Sequence, residues 1–315
     1  MPLSSDEKIN KLADDLLKTI DALFGVHPGF RSVHAKGIML TGTFTPSPEA
    51  ASYTRAPHIL RDSTPVTVRF SNGTGIPVIP DNDPQANPHG LAIRFHLAEH
   101  VHTDIVSHST DGFPAKNGQE FLELLKAFAS GNPSAFFAAH PAALAFEQTP
   151  KPSPASFASE AYFGVTAFRF INRDGVARYG RYRIVPEAGV QHLDEATAKS
   201  KGANYLMDEL TQRLAKDPIR FNIQVQLAQE GDIVNDSTVH WPADRPVIHF
   251  GTLVLTAKAP EDETHQRIIF DPIPRVDGIE PSEDPLLDLR AAVYLISGRR
   301  RRQAAESPAR TPQPV

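Results

Sequence analysis

The sequence predicts an α+β protein built on an antiparallel eight-stranded β-barrel, with helices inserted between its strands and flanking them. Two observations carry that prediction. Between Gly37 and Leu97, strand-like runs alternate with turns, and the clearest are Val66–Ser71 and Leu91–Leu97. Apolar and polar side chains at alternate positions mark strands with one buried face. Farther on, Thr166–Ile171 and Ala177–Ile184 flank Asn172-Arg173-Asp174-Gly175, and Asp-Gly suits a hairpin turn. Arg220–Leu227 and Val247–Thr256 return to the same alternation. The total is about eight strands, which suits a sheet closed on itself.

The remaining elements follow in order. Asp6–Phe24 reads as an amphipathic helix, because Ile9, Leu12, Leu16, Ile20 and Leu23 recur at steps of three and four. Ser5 is placed to cap its start and Gly25 to end it. This helix, with the arm 1–29 around it, is assigned to packing or to contacts in a homodimer. Gly73–Pro88, with its Pro, Asn and Asp, is a loop. Gln119–Ser130 is a helix, and Pro133–Ser159 is a short helix plus irregular linker. Asn204–Lys216 is a helix that stops before Asp217-Pro218. Residues 303–315 are rich in Pro, Ala and charge and read as a disordered tail. With 315 residues, 40% of them hydrophobic, the chain can bury one large core, and no internal repeat or second domain is evident. The main domain is 30–302.

Charge and composition exclude several classes. A net charge of −5 gives no electrostatic reason to expect nucleic acid or anionic membrane as a partner. The basic string Arg299–Arg302 is short and isolated in an acidic chain. No apolar run approaches the ~18 residues of a membrane span. The start, Met1-Pro2-Leu3-Ser4-Ser5, lacks the basic and apolar regions of a secretory signal, so a cytoplasmic location is expected. Cys is absent, which rules out disulfides and thiolate chemistry.

Two stretches far apart in the chain carry chemically capable side chains. His34 follows Val33 and precedes the strand-like run Ile38–Phe44. Apolar flanks hold an imidazole neutral, which suits a general acid/base, although a lone His is more often a satisfied core residue. Tyr294 lies four residues after Arg290 and seven before Arg301, so on a helix the three share one face. A guanidinium held against a phenol favours the phenolate, and tyrosinate is one of the axial ligands proteins give to haem. Read alone, Tyr294 is more readily a surface tyrosine of a basic C-terminal helix.

The motifs together narrow the choice. RSVHAKG at 31–37, VRFSNGTG at 68–75, NPHGLAIRF at 87–95, the run from Asp271 to Tyr294 and the arginines after it resemble the monofunctional haem catalase family. They stand in the family's order and near its spacing, from Phe30 to Arg302. The chain stops soon after the Tyr294 helix, which resembles the short, catalase-related peroxidase branch. The resemblance implies haem b, with its iron bound by Tyr294 and with Arg290 tuning the phenolate. It implies Arg31 and Arg69 as partners of the haem carboxylates and Arg301 as a further haem contact. It also implies Val33, Phe113 and Phe121 in the haem pocket, His34 as the distal base, and Ser71 as the group that bonds and orients His34. One position departs from the pattern. Asp104–Thr110 aligns with the family's D-L-V-G-N-N-T, so His108 stands where the family has its distal Asn.

The expected reaction is therefore heterolysis of a peroxide O–O bond, with a second peroxide or an organic electron donor then supplying electrons. The titratable His108 is expected to add a second pH-dependent step, and a short chain to leave a wide channel. Weak catalase and clear peroxidase activity follow. A hydroperoxide-rearranging enzyme of the allene oxide synthase type and a non-enzymatic carrier of apolar ligands are the alternatives.

Overall fold

The structure, a computed structural model, describes residues 3–306 apart from residue 262. Strands β1 (Gly37–Pro46), β2 (Thr64–Ser71), β3 (Gly90–Ala98), β4 (Val101–His108), β5 (Tyr162–Phe163), β6 (Phe168–Ile171), β7 (Ala177–Pro186), β8 (Ile219–Leu227), β9 (Val247–Lys258) and β10 (Ile279–Pro281) form one antiparallel sheet. The order β7-β5-β4-β3-β2-β1-β9-β8 returns to β7 through a β7–β8 ladder, so these eight strands close. The short pair β6 and β10 flanks the other half of β7's open edge. Closure leaves the barrel no edge, and its interior fills with aromatic rings. Phe44, Phe70, Phe95, Phe221 and Phe250 are all fully buried there.

Helices α1 (Glu7–Phe24), α2 (Gly118–Ala129), α3 (Ser134–Ala139), α4 (Pro141–Gln148), α5 (Glu195–Ser200), α6 (Tyr205–Leu214), α7 (Glu263–Gln266) and α8 (Leu286–Glu306) complete the chain. The cap of α1 is Asp6 rather than the expected Ser5, and its carboxylate accepts from the Lys8 N–H at 2.8 Å. A carboxylate at an N-cap also meets the positive end of the helix dipole, which a hydroxyl does less well. Gly25 ends α1 as expected, with φ +83 and its N–H donating to the Asp21 carbonyl at 2.9 Å. Residues 303–306 do not belong to a disordered tail, because α8 runs on to Glu306; residues 307–315 lie outside the described residues. No helix among the described residues is long and apolar enough to cross a membrane.

The three longest helices gather on one side of the barrel. Ala13 and Leu16 of α1, Leu122 of α2, and Leu289 and Ala292 of α8 bury a shared apolar seam. Gly118 permits the α2 approach, since a Cβ there would fall 2.0 Å from the Leu289 side chain. On the barrel wall facing this seam, register lays three residues in one row across β2, β3 and β4. Ser71 pairs with Gly90, and Gly90 with His108.

Candidate active site

A cleft of about 250 Å³ lies between that wall and the helices. It is walled mainly by apolar side chains, with a few polar groups that converge, the usual composition of a small-molecule site. The elements that carry them explain why residues remote in sequence meet. The segment before β1 brings in Arg31, Val33 and His34. Strands β2 to β4 bring Arg69, Ser71 and His108, and α8 brings Arg290, Tyr294 and Arg301. Phe113 and Phe121 close one side, their rings 4.9 Å apart. All eleven residues singled out from the sequence line this one cleft.

His34 is the most constrained of them. Its backbone has φ +57, which L-residues adopt rarely, so the loop is held there by its surroundings. The Ser71 hydroxyl lies 3.2 Å from its Nδ1, and the ring rests on Gly90, where a Cβ would come within 2.9 Å of that nitrogen. Burial first, then the charge of Arg69, lowers its pKa to about 4. The ring is therefore neutral at ordinary pH and free to accept a proton.

His108 stands one strand farther along the same row, with the Thr110 hydroxyl 2.8 Å from its Nδ1 and the Phe113 ring 6.5 Å away. Holding Nδ1 leaves Nε2 as its working atom. Burial, with Arg290 and then His34, lowers its pKa to about 3. The second pH-dependent step expected of His108 therefore belongs to acid pH. At working pH His108 acts as a neutral imidazole.

Acid sensitivity follows from these histidines together with His58 and His89, whose pKa values burial lowers to about 3 in the barrel. In the unfolded chain each binds a proton near pH 6.5, and in the fold only near 3 or 4. Stability is therefore full above 6.5 and lost as pH falls toward 4, by about 1.4 kcal/mol per unit for each ring. Glu160 and Asp284, whose carboxyls burial raises, act in the opposite sense but are fewer. The melting temperature should drop steeply between pH 6.5 and 4.5, and a flat profile across that window would refute the assignment.

Three guanidiniums also converge in the cleft. Arg31 donates to the Ile268 carbonyl at 3.0 Å, Arg69 to Ala35 at 3.1 Å, and Arg301 to Gln266 and Ile268 at 2.8 and 3.2 Å. Among the described residues none of the three pairs with a carboxylate, and the buried Arg301 Nε has no partner. Burial depresses all three, Arg69 to about 9 and Arg301 to about 10. Mutual repulsion adds to the effect at Arg31, which Arg69 and Arg301 both push down. Buried like charges are tolerated where an anion completes the site, and carboxylates suit guanidinium forks.

Tyr294 faces the cleft from α8, with Arg290 Nη2 3.4 Å from its hydroxyl and Arg290 Nη1 3.2 Å from the Thr166 hydroxyl. Arg290 thus reaches the phenol from one turn away, as the spacing suggested. No cluster of three or more His, Cys, Asp or Glu among the described residues could hold a bare metal ion. What the cleft offers is one phenol, apolar walls and a patch of unpaired guanidiniums. That donor set fits a flat, apolar metal complex carrying carboxylates better than it fits a free ion.

Several lining residues were not legible beforehand. Leu16 and Ile20 of α1 form part of the wall, although the helix had been assigned only to packing or dimer contacts. Ile268, Ile269 and Phe270 cover the arginines, pinned because Arg94 donates to the Ile269 carbonyl and to Asp104, which also takes the Asp271 N–H. The amphipathic pattern of α1 reports a buried face without saying what it covers. Nothing local marks the 268–270 strap.

Comparison with known proteins agrees with this geometry. The family model for catalase matches residues 29–307. A catalase-related peroxidase of Mycolicibacterium paratuberculosis is 36% identical over 293 residues, covering 90% of this chain and 93% of that one. One of Synechococcus elongatus is 35% identical, covering 90% and 87%. Among solved structures a fungal catalase superposes with a TM-score of 0.76 at 22% identity, and this chain spans 59% of it.

Proposed function

The chain belongs to the catalase family, and from that premise we propose that it is a haem-dependent peroxidase of the catalase-related kind. It reduces hydrogen peroxide or organic hydroperoxides at the expense of an organic donor, with weak catalase activity. The observation that carries this reading is the meeting of His34 and Tyr294 in one mainly apolar cleft with three guanidiniums that pair with no carboxylate among the described residues.

Haem b is the group these residues would hold. Tyr294 would ligate its iron, with Arg290 beside the phenol oxygen. Arg31, Arg69 and Arg301 would take its carboxylates, and Val33, Phe113 and Phe121 would press on its apolar surface. When bound, the haem supplies the electrons that break the peroxide O–O bond. The protein supplies the proton handling. His34 accepts the proton of the incoming peroxide and returns it to the departing oxygen, and Ser71 keeps its ring oriented. Such acid/base help is worth roughly 10²–10⁴-fold. Apolar walls exclude water, which keeps His34 neutral and ready.

A Soret band in the purified protein, with loss of peroxide coupled to oxidation of a dye, tests the reading. A chain that binds no haem, or turns a fatty-acid hydroperoxide into an epoxide or ketol, refutes it. The expected balance of activities rests on His108. An Asn amide donates to a second peroxide without competing for its proton, whereas an imidazole can also accept. His108→Asn should therefore raise the ratio of oxygen evolution to dye oxidation. An unchanged ratio would remove His108 from the control of that balance.

A further inference from the structure

Behind the His34–Ser71 pair the barrel wall holds polar groups that the proposed reaction does not use. Ser71 opposite Gly90 is the last paired rung of β2 and β3, and Asn72 and His89 stand one position beyond it. Strand geometry sends their side chains to the same face, away from the one Ser71 occupies. Both residues are fully buried. The Asn72 amide nitrogen donates to Asp81 at 2.8 Å, and Asp81 is anchored in turn by Lys36 and by the Leu206 N–H. The Asn72 Oδ1 and both ring nitrogens of His89 have no partner. His89 stands edge-on to Phe157, with ring centroids 5.5 Å apart, and its main chain is tied both ways to Ser109.

These tenants are not ordinary barrel filling. The neighbouring positions on the same face carry Phe70 and Leu91, which need no partner. A neutral imidazole has a donor and an acceptor and the amide oxygen is an acceptor, and buried groups of this kind are satisfied by ordered water. The link matters because Asn72 follows Ser71, whose hydroxyl lies 3.2 Å from His34 Nδ1, and His89 precedes Gly90, on which the His34 ring rests. The Asn72 main chain also favours the protonated ring. Anything that turns the Asn72 peptide therefore changes what His34 feels. Ser109 lies between His108 and Thr110, so the same segment also abuts the second distal ring.

We propose that His89 is a positioning residue for His34: with Asn72 Oδ1 it holds a buried water site, and that link fixes the Ser71–Asn72 and His89–Gly90 segments that seat the His34 ring. The inference rests on the peroxidase reading only in its kinetic arm.

Two measurements decide it. A high-resolution crystal structure of the full-length protein should show an ordered water within hydrogen-bond distance of a His89 ring nitrogen and of Asn72 Oδ1. In the haem-loaded protein, His89→Phe should slow the reaction with peroxide by roughly tenfold or more, the scale on which outer partners act. It should also move the acid limb of the pH profile downward, as His34 loses the Asn72 main-chain contact that favours its protonation. His89→Gln, which keeps a donor and an acceptor, should restore both the rate and the profile. A dry His89 overturns the proposal. So does a Phe variant with wild-type rate and profile, or Phe and Gln variants that fall equally with an unmoved profile. If the Phe variant does not fold, the crystal water and the profile of the Gln variant decide alone. A wild-type chain that consumes no peroxide sinks the reaction assigned to the cleft, whereas a dry His89 in an active chain sinks this inference only.

Discussion

Tyr294→Phe should purify with little haem, or with a ferric spectrum unlike that of the parent protein. The substitution removes one oxygen and nothing else of the side chain. That oxygen is the one Arg290 reaches from a turn earlier on α8, at 3.4 Å. No other cluster of metal-binding side chains among the described residues offers a substitute. The apolar wall and the three guanidiniums remain in the variant, so some haem could still lodge by its rim. Its iron would then have water or nothing on that side, and the absorption bands would report it. Full haem content with an unchanged spectrum would show that Tyr294 is not the axial ligand. Thermal stability serves as the control. Tyr294 is only partly buried, so the fold should survive the loss of its hydroxyl.

His34→Ala should leave haem bound and slow the reaction with peroxide by two or more orders of magnitude, on the scale of roughly 10²–10⁴ for lost acid/base help. The reasoning is geometric before it is electrostatic. The Ser71 hydroxyl and the Gly90 backbone seat this ring, whereas the guanidiniums that would hold the haem carboxylates come from Arg31, Arg69 and Arg301. The variant thus separates binding from proton transfer. The pH profile supplies a second check. Because burial and Arg69 hold the imidazole pKa near 4, the wild-type rate should persist as pH falls below 6 and fail only near 4. An acid limb near 6.5 would mean that the ring is solvated and the cleft open. Near-normal rates in His34→Ala would sink the role outright.

The elements of this fold were legible in the sequence where pattern and packing agree. Alternation in 66–71, 91–97, 220–227 and 247–256 fixes strand existence, because a one-residue slip would turn each buried face outward. The turn at Asn172–Gly175 and the termination at Gly25 follow from backbone chemistry carried by single residues. The start of α1 was misjudged by one residue, since Ser5 and Asp6 are both competent caps and local sequence does not choose between them. The end of α8 was misjudged more widely. Residues 303–306 have a composition that suits disorder, yet they continue a helix that the α1 and α2 contacts have already paid the cost of starting.

The site divides in the same way. His34, Tyr294 and their companions could be named from motifs because each motif is short and keeps its residues at fixed local offsets. The sequence by itself thus determined the barrel, the family and which side chains gather in the cleft. Only the tertiary structure decided how they are conditioned. It set Ser71, Gly90 and His108 in one row across three strands, lowered both distal histidines out of the neutral range, and brought three arginines together without a counterion. It also turned α1 into part of the cleft wall and buried His89 and Asn72 behind the distal base. The physical reason is range. Local offsets fix which atoms a helix or strand can present, whereas burial and like-charge repulsion depend on neighbours hundreds of residues away, brought close only when the barrel closes.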